Sequence, residues 1–184
     1  MKFAHKNIII TGGSRGIGLA VAKAFFNEEA CVLAVARDET ELKDSQKKMK
    51  GKGSYHILAA DVSVKKDRAR IKAYIEKKMK GAVDVLVNAA GIYGPIGRLE
   101  ENSSDEWEKT IKVNVFGTVH MCALVLPFMK KKKHGCIVNF SGGGEGPLPR
   151  FTAYSASKGA VVRFTESLAT EVKDFGITVN AITP

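Results

Sequence analysis

Residues 7–28 pass without a break from a fully apolar run, Asn7–Ile10, through a glycine-rich turn, Thr11–Gly18, into a helical pattern over Leu19–Glu28. An apolar run this short and uniform belongs in a parallel sheet covered on both faces. The turn holds Gly12, Gly16 and Gly18, with Ser14, Arg15 and Ile17 between them. Glycine admits positive φ and lets a ligand approach the backbone closely. The helix that follows offers unpaired N–H groups and a positive dipole end to an anion. Strand, glycine turn and helix together make a phosphate cradle. The alternative is a tight turn that needs glycine for packing alone; opening a βα unit at the N-terminus favours the cradle.

The alternation continues along the chain. Cys31–Ala36, Ser54–Ala60, Asp84–Asn88, Cys136–Phe140 and Ile177–Thr183 read as further strands. Between them, helices are expected from about Val64 to Lys80, from Ser103 through Met129, and from Tyr154 onward along the apolar stripe Val161, Phe164, Leu168 and Val172. Asp38 reads as a helix N-cap, with Glu41 completing a capping box, and Ser103 with Glu106 reads the same way. The pattern predicts one doubly wound α/β domain over residues 1–184.

Composition narrows the class. An apolar share of 45% is enough for a sizeable core. The longest apolar runs fall short of a bilayer span, so no transmembrane helix is expected. The first residues run directly into a strand, so no signal peptide is expected either. Cys31, Cys122 and Cys136 are widely spaced, odd in number and set in apolar runs. They suggest reduced, buried thiols in a cytoplasmic protein, without a disulfide framework or zinc site. The four histidines show no metal-ligand spacing, so no metal is expected. Net charge is +10, with lysines gathered at 47–50, 65–66, 77–80 and 130–133. Three of these runs fall where helices should end, a place that favours cations, and solvated helix ends explain them. A basic field also attracts anionic ligands or an acidic partner. Nucleic acid is the weaker reading, because the runs lack interleaved aromatic residues.

Ser141 follows the strand Cys136–Phe140, a loop rich in glycine and proline comes next, and Tyr154 and Lys158 stand four apart in a helical segment. Positions i and i+4 share a helix face. Phenol and ammonium can therefore enter one pocket, with the Ser141 hydroxyl brought up from the strand end. A free tyrosine titrates near pH ~10; a neighbouring ammonium lowers that value. Proton transfer to or from a substrate oxygen then becomes feasible. Taken alone, these residues read equally as a core tyrosine, a strand-end serine and a solvated lysine.

The glycine spacing G-x-x-x-G-x-G at Gly12, Gly16 and Gly18 differs from the common G-x-G-x-x-G fingerprint. It resembles that of the short-chain dehydrogenase/reductase (SDR) family. Asn88-Ala89-Ala90-Gly91 after the fourth strand, and Ser141 placed 13 positions before Tyr154, match the same family. The likeness covers all 184 residues and is similar to members of the 3-oxoacyl-carrier-protein reductase type. It implies a Rossmann fold with strand order 3-2-1-4-5-6, without the family's seventh strand. Relatives continue past the Pro-Gly turn that Pro184 would begin, so the domain is expected to be incomplete at its C-terminus.

The resemblance also implies a site. Gly12, Ser14, Arg15, Gly16, Ile17 and Gly18 would surround the cofactor phosphates. Arg37, with Arg15, would take a 2′-phosphate and favour NADP(H) over NAD(H), because Ala36 stands where NAD-preferring relatives carry an acid. Asp38 keeps NAD open, lying ~20 residues past Gly18. Asp61 and Val62 would lie beside the adenine, with Asn88, Ala89 and Gly91 at the next strand end; Pro184, Tyr154 and Lys158 would also touch the cofactor. Asn114, within Val113–Gly117, would complete a catalytic tetrad with Ser141, Tyr154 and Lys158, holding a helix distortion and a relay water. Gly117 is costly in mid-helix and suggests close packing. The expected activity is hydride transfer between nicotinamide and a small-molecule carbonyl/alcohol substrate, with Tyr154 as general acid/base, in a homo-oligomer (dimer or tetramer) away from membranes. The alternative is a non-catalytic cofactor-binding module or partner subunit, motivated by the absent substrate-covering part.

Overall fold

The structure, a computed structural model, describes residues 2–142 and 146–184. Gly143, Gly144 and Glu145 of the expected glycine-rich loop lie outside the described residues. Six strands form one parallel sheet: β1 (Asn7–Thr11), β2 (Cys31–Ala36), β3 (Ser54–Ala59), β4 (Val85–Asn88), β5 (Gly135–Phe140) and β6 (Ile177–Ile182). Their order is β3-β2-β1-β4-β5-β6, as the family resemblance implies. The helices are α1 (Gly16–Asn27), α2 (Glu39–Lys47), α3 (Lys65–Lys78), α4 (Ser104–Ile111), α5 (Gly117–Lys132) and α6 (Thr152–Val172). The first starts at Gly16 rather than Leu19, because the last turn glycines are already helical.

Strand side chains alternate between two cores. Ile9, Leu33, Leu86, Ile137 and Val179 pack with Ile71 and Ile75 of α3, Met121 and Val125 of α5, and Leu168 and Val172 of α6. Ile8, Ile10, Val32, Ala34, Val85 and Val87 pack with Ala22 and Phe26 of α1 and Leu42 of α2. Period-two alternation in an all-apolar strand thus serves two layers at once. The second layer thins toward β6: Cys136, Val138 and Phe140 are half-buried, and Thr178, Asn180 and Ile182 are exposed. Of the three free cysteines, therefore, only Cys122 has the full burial expected of all of them. Burial pushes its thiol up to about 12.

The helix after Ser103 needs two corrections. It runs unbroken from Ser104 to Lys132 with an 18-residue window of mean hydropathy 1.5, so by length and composition it could span a bilayer. Its packing is that of a core helix, with Val113, Met121, Cys122, Val125 and Met129 buried. It also changes hydrogen-bond pattern to π at Lys112–Phe116, around Asn114.

The lysine runs of 47–48, 77–78 and 130–132 close α2, α3 and α5. In a parallel sheet those ends lie opposite the carboxyl ends of the strands. Lys132 does more than end its helix: though partly exposed, it pairs with buried Asp84, which also accepts from the Asn7 N–H at 2.8 Å. Burial would raise the Asp84 carboxyl, but these partners outweigh it and hold it below the usual carboxylate range.

Candidate active site

A cleft of about 810 Å³ opens where the strands β1, β2, β3, β4, β5 and β6 end. Gly12 has φ +69°, and a Cβ there would lie 2.8 Å from the Ala89 carbonyl oxygen, so the turn and the end of β4 are in contact. A Cβ on Gly18 would collide with the Gly12 carbonyl oxygen. No side chain caps the N-terminus of α1. Its first residues, Gly16, Ile17 and Gly18, line the cleft, and the unpaired N–H groups and dipole of a helix start fit a pyrophosphate. Ser14, Arg15, Gly16 and Ile17 line the same wall.

At the far end of this wall Arg15 and Arg37 are exposed and border the cleft with Asp38 and Glu41. Asp38 is the N-cap of α2, accepting from the Glu41 N–H at 2.9 Å. The capping box is only half-formed, because the Glu41 carboxylate turns away to accept from Ser14 Oγ at 2.8 Å and from Arg15 at 3.5 Å. Asp61 lines the cleft and also serves its own turn, accepting from the N–H and Oγ of Ser63 at 2.8 and 2.6 Å. Val62 backs the cleft against Gly117, where a Cβ would lie 2.7 Å from Val62 Cγ2; this is the close packing expected of that glycine.

Asn88 departs from expectation. Its side chain leaves the cleft for the core, donating to Asn139 Oδ1 at 2.9 Å and to Cys122 Sγ at 3.4 Å. Asn88 and Asn139 stand opposite each other across β4 and β5, so the register sends both to the same face. Ala89, Ala90 and Gly91 border the cleft, as does Pro184 beyond β6.

Helix α6 brings Tyr154 and Lys158 to the other end of the cleft. Lys158 is 9% exposed, and its Nζ donates to the Phe140 carbonyl at 2.8 Å. Burial pulls its pKa down to about 8. The Tyr154 phenol is pushed above its ordinary value, first by burial and then by Tyr93. The lowered tyrosine expected from the sequence is therefore not the state of this structure. The ammonium lies 5.6 Å from the Tyr154 ring centre and is committed to a backbone carbonyl.

Asn114 is 1% exposed and fully engaged: Nδ2 donates to Ile92 O at 2.8 Å and Ser157 Oγ at 2.9 Å, and Oδ1 accepts from the Ile92 N–H at 2.8 Å. It sits in the π turn, a distortion that often accompanies functional sites, and its own carbonyl accepts from Thr118 Oγ1 of α5. A Cβ on Gly91 would sit 3.3 Å from Asn114 Oδ1 and 3.7 Å from Lys158 Nζ, so these three converge. Ser141 reaches the same end, but its hydroxyl pairs with Thr183 Oγ1 at 2.9 Å and donates to Ile182 O at 3.1 Å. At Gly142, φ is +75° and a Cβ would lie 2.6 Å from Tyr154 Oη, which explains glycine there.

Sequence reasoning missed four residues that the fold brings to this site. Tyr93 packs against Tyr154 with ring centres 5.0 Å apart and the rings tilted by 48°; its signal was an aromatic two positions past Gly91. Thr183 binds Ser141, Ser157 binds Asn114, and Glu41 holds the glycine turn. Ser157 lay in plain sight between Tyr154 and Lys158, whereas nothing local marks the contact of Thr183 with Ser141 or that of Glu41, expected only as a capping residue, with Ser14.

Residues 6–184 match the family model for short chain dehydrogenases. A short chain dehydrogenase of Pseudocercospora fijiensis is 40% identical over 183 residues; the match covers 97% of this chain and 59% of that relative. Among solved structures, an NAD+-bound xylitol dehydrogenase superposes with a TM-score of 0.93 at 28% identity, covering all of this chain and 71% of the other. A 3-ketoacyl-ACP reductase from Sinorhizobium meliloti superposes at 0.90 with 33% identity, covering 97% and 71%. Glycine turn, sheet order and family match agree: the chain belongs to the short chain dehydrogenase family.

Proposed function

We propose that this protein is an NADP(H)-dependent oxidoreductase that interconverts a carbonyl and a secondary alcohol. The observation that carries the reading is one cleft with an uncapped helix N-terminus and two arginines at one end, and Tyr154, Lys158 and Asn114 converging at the other. The bound nicotinamide would supply or accept the hydride. In the reductive direction Tyr154 Oη gives its proton to the developing alkoxide oxygen. Its high pKa in this arrangement keeps it protonated for that step. Lys158 in its charged form has three donors; one is held by Phe140 O, and the others remain for a ribose hydroxyl and for the field that favours a Tyr154 phenolate after transfer. Ser141 orients the carbonyl oxygen once its hydroxyl turns from Thr183. Asn114 fixes the Ile92 loop and Ser157, which sets the floor under Lys158.

Arg15 and Arg37 support NADP(H) over NAD(H), since a guanidinium pairs with a 2′-phosphate in two-pronged fashion. Half-exposed Phe116, beside Trp107 and Ile111 on α4 and the π turn, supports a homo-oligomer. The free cysteines support a cytoplasmic setting. Three of the four lysine runs lie at the pole away from the cleft and so do not support delivery of substrate by an acidic carrier; Lys65 and Lys66 open α3 on the cleft side. A second reading, a cofactor-binding module without turnover, draws on the commitment of Ser141 and Lys158 to backbone carbonyls. Titration with NADPH and NADH, followed by a turnover screen over ketones and alcohols, tests both. Tight NADPH binding with turnover supports the enzyme, binding with no turnover supports the module, and tighter NADH binding removes the NADP assignment.

A further inference from the structure

Glu41 sits where a capping box would fold its carboxylate back onto its own helix. Instead both oxygens face the glycine turn: Oε2 accepts from Ser14 Oγ at 2.8 Å, and Oε1 lies 3.5 Å from Arg15 NH1. The carboxylate is half-shielded, with 38% of the side chain exposed, and it borders the cleft beside Arg15, Arg37 and Asp38. An anion tethered to α2 therefore already occupies two of the groups that an incoming phosphate would use. Two arginines and two carboxylates stand here together, so the end of the cleft that looks basic in the sequence is close to neutral in the fold.

We propose that Glu41 is a built-in competitor for the 2′-phosphate and sets how strongly this chain distinguishes NADP(H) from NAD(H). The inference rests on the reading of Arg15 and Arg37 as 2′-phosphate partners. A 2′-phosphate must displace Glu41 from Arg15 and Ser14 and then bear its repulsion at short range. A 2′-hydroxyl bears neither burden. Asp38 does not play this part, because its carboxylate is committed to capping α2. Cofactor choice is then the difference between two arginines that attract the phosphate and one carboxylate that holds their place.

The test is the Kd of NADPH and of NADH, by nicotinamide fluorescence at fixed ionic strength, for the wild type, Glu41→Gln and Arg37→Ala. Glutamine keeps the size and an acceptor for Ser14 but removes the charge. The expected result is NADPH binding tightened about tenfold in Glu41→Gln, with NADH changed by less than about twofold. An unchanged ratio of the two affinities overturns the inference. So does a loss of NADH affinity with NADPH unaltered, which would make Glu41 a ribose acceptor. The Arg37→Ala arm tests the underlying reading separately. If Arg37→Ala leaves NADPH unchanged while Glu41→Gln shifts the ratio, the Arg37 assignment falls and Glu41 stands; the reverse pattern removes Glu41 alone. Binding of neither nucleotide by any of the three overturns both.

Discussion

The two ends of the cleft are built on opposite principles. At the end bordered by the glycine turn and α2, Arg15, Arg37, Asp38 and Glu41 are exposed or half-exposed and balance one another in contact with water. At the end bordered by α6, Asn114, Ser141 and Lys158 are 1, 2 and 9% exposed and are tied to backbone carbonyls and hydroxyls. Exposed ion pairs are screened and contribute little each. Buried polar groups are costly to leave unmatched, and their networks resist piecemeal change. Cofactor preference should therefore be adjustable by single substitutions with little effect on folding. The chemistry should be all-or-none, with stability tied to it.

Four substitutions test this contrast. Tyr154→Phe removes the proton donor and nothing else, so kcat should fall by about 10²–10⁴ while NADPH affinity stays within about twofold of wild type. Retained turnover would remove Tyr154 from the mechanism. Gly18→Ala drives a Cβ into the Gly12 carbonyl; nucleotide binding should be lost and urea unfolding should show a loss of about 1–3 kcal/mol. Normal binding would mean that the turn yields freely.

Lys158→Met addresses the buried charge. The folded pKa of about 8 lies below the ordinary lysine value of 10.5. The unfolded chain thus binds the proton more tightly between those values, and stability rises with pH across that window. Wild type should gain on Lys158→Met between pH 8 and 10.5, by on the order of 3 kcal/mol in all, with a constant difference below pH 8. A difference that stays flat through the window would place Nζ in water. The smallest effect is expected from Tyr93→Phe. Burial remains the main cause of the raised Tyr154 pKa, but the second cause, the Tyr93 phenol, is removed. The alkaline limb of the reductive rate, which needs protonated Tyr154, should move to lower pH. An unmoved limb would show that the two phenols do not communicate.

Much of this molecule was legible before it was folded. Strands, helices and the glycine turn follow from short-range periodicity and from the backbone freedom of glycine, and their boundaries moved by only a few residues. The shared face of Tyr154 and Lys158 was legible because the pair is local, one helical turn apart. The strand order came from family resemblance, since no local pattern dictates which strand lies beside which. Where the reading failed, the deciding partner was distant in sequence. Asn88 turned to Asn139, Glu41 to Ser14, and Lys132 to Asp84.

By itself, then, the sequence determined the succession of βα units, the glycine turn and the shared face of Tyr154 and Lys158. Each is set by interactions within a few residues. Only the tertiary structure decided which polar side chains enter the cleft and which are spent elsewhere, and what protons the catalytic pair holds. Those outcomes depend on burial and on hydrogen bonds between segments that meet only when the sheet is assembled. Lys158 shows this most directly. Its position follows from helical spacing, but its lowered pKa follows from the walls that exclude water from Nζ.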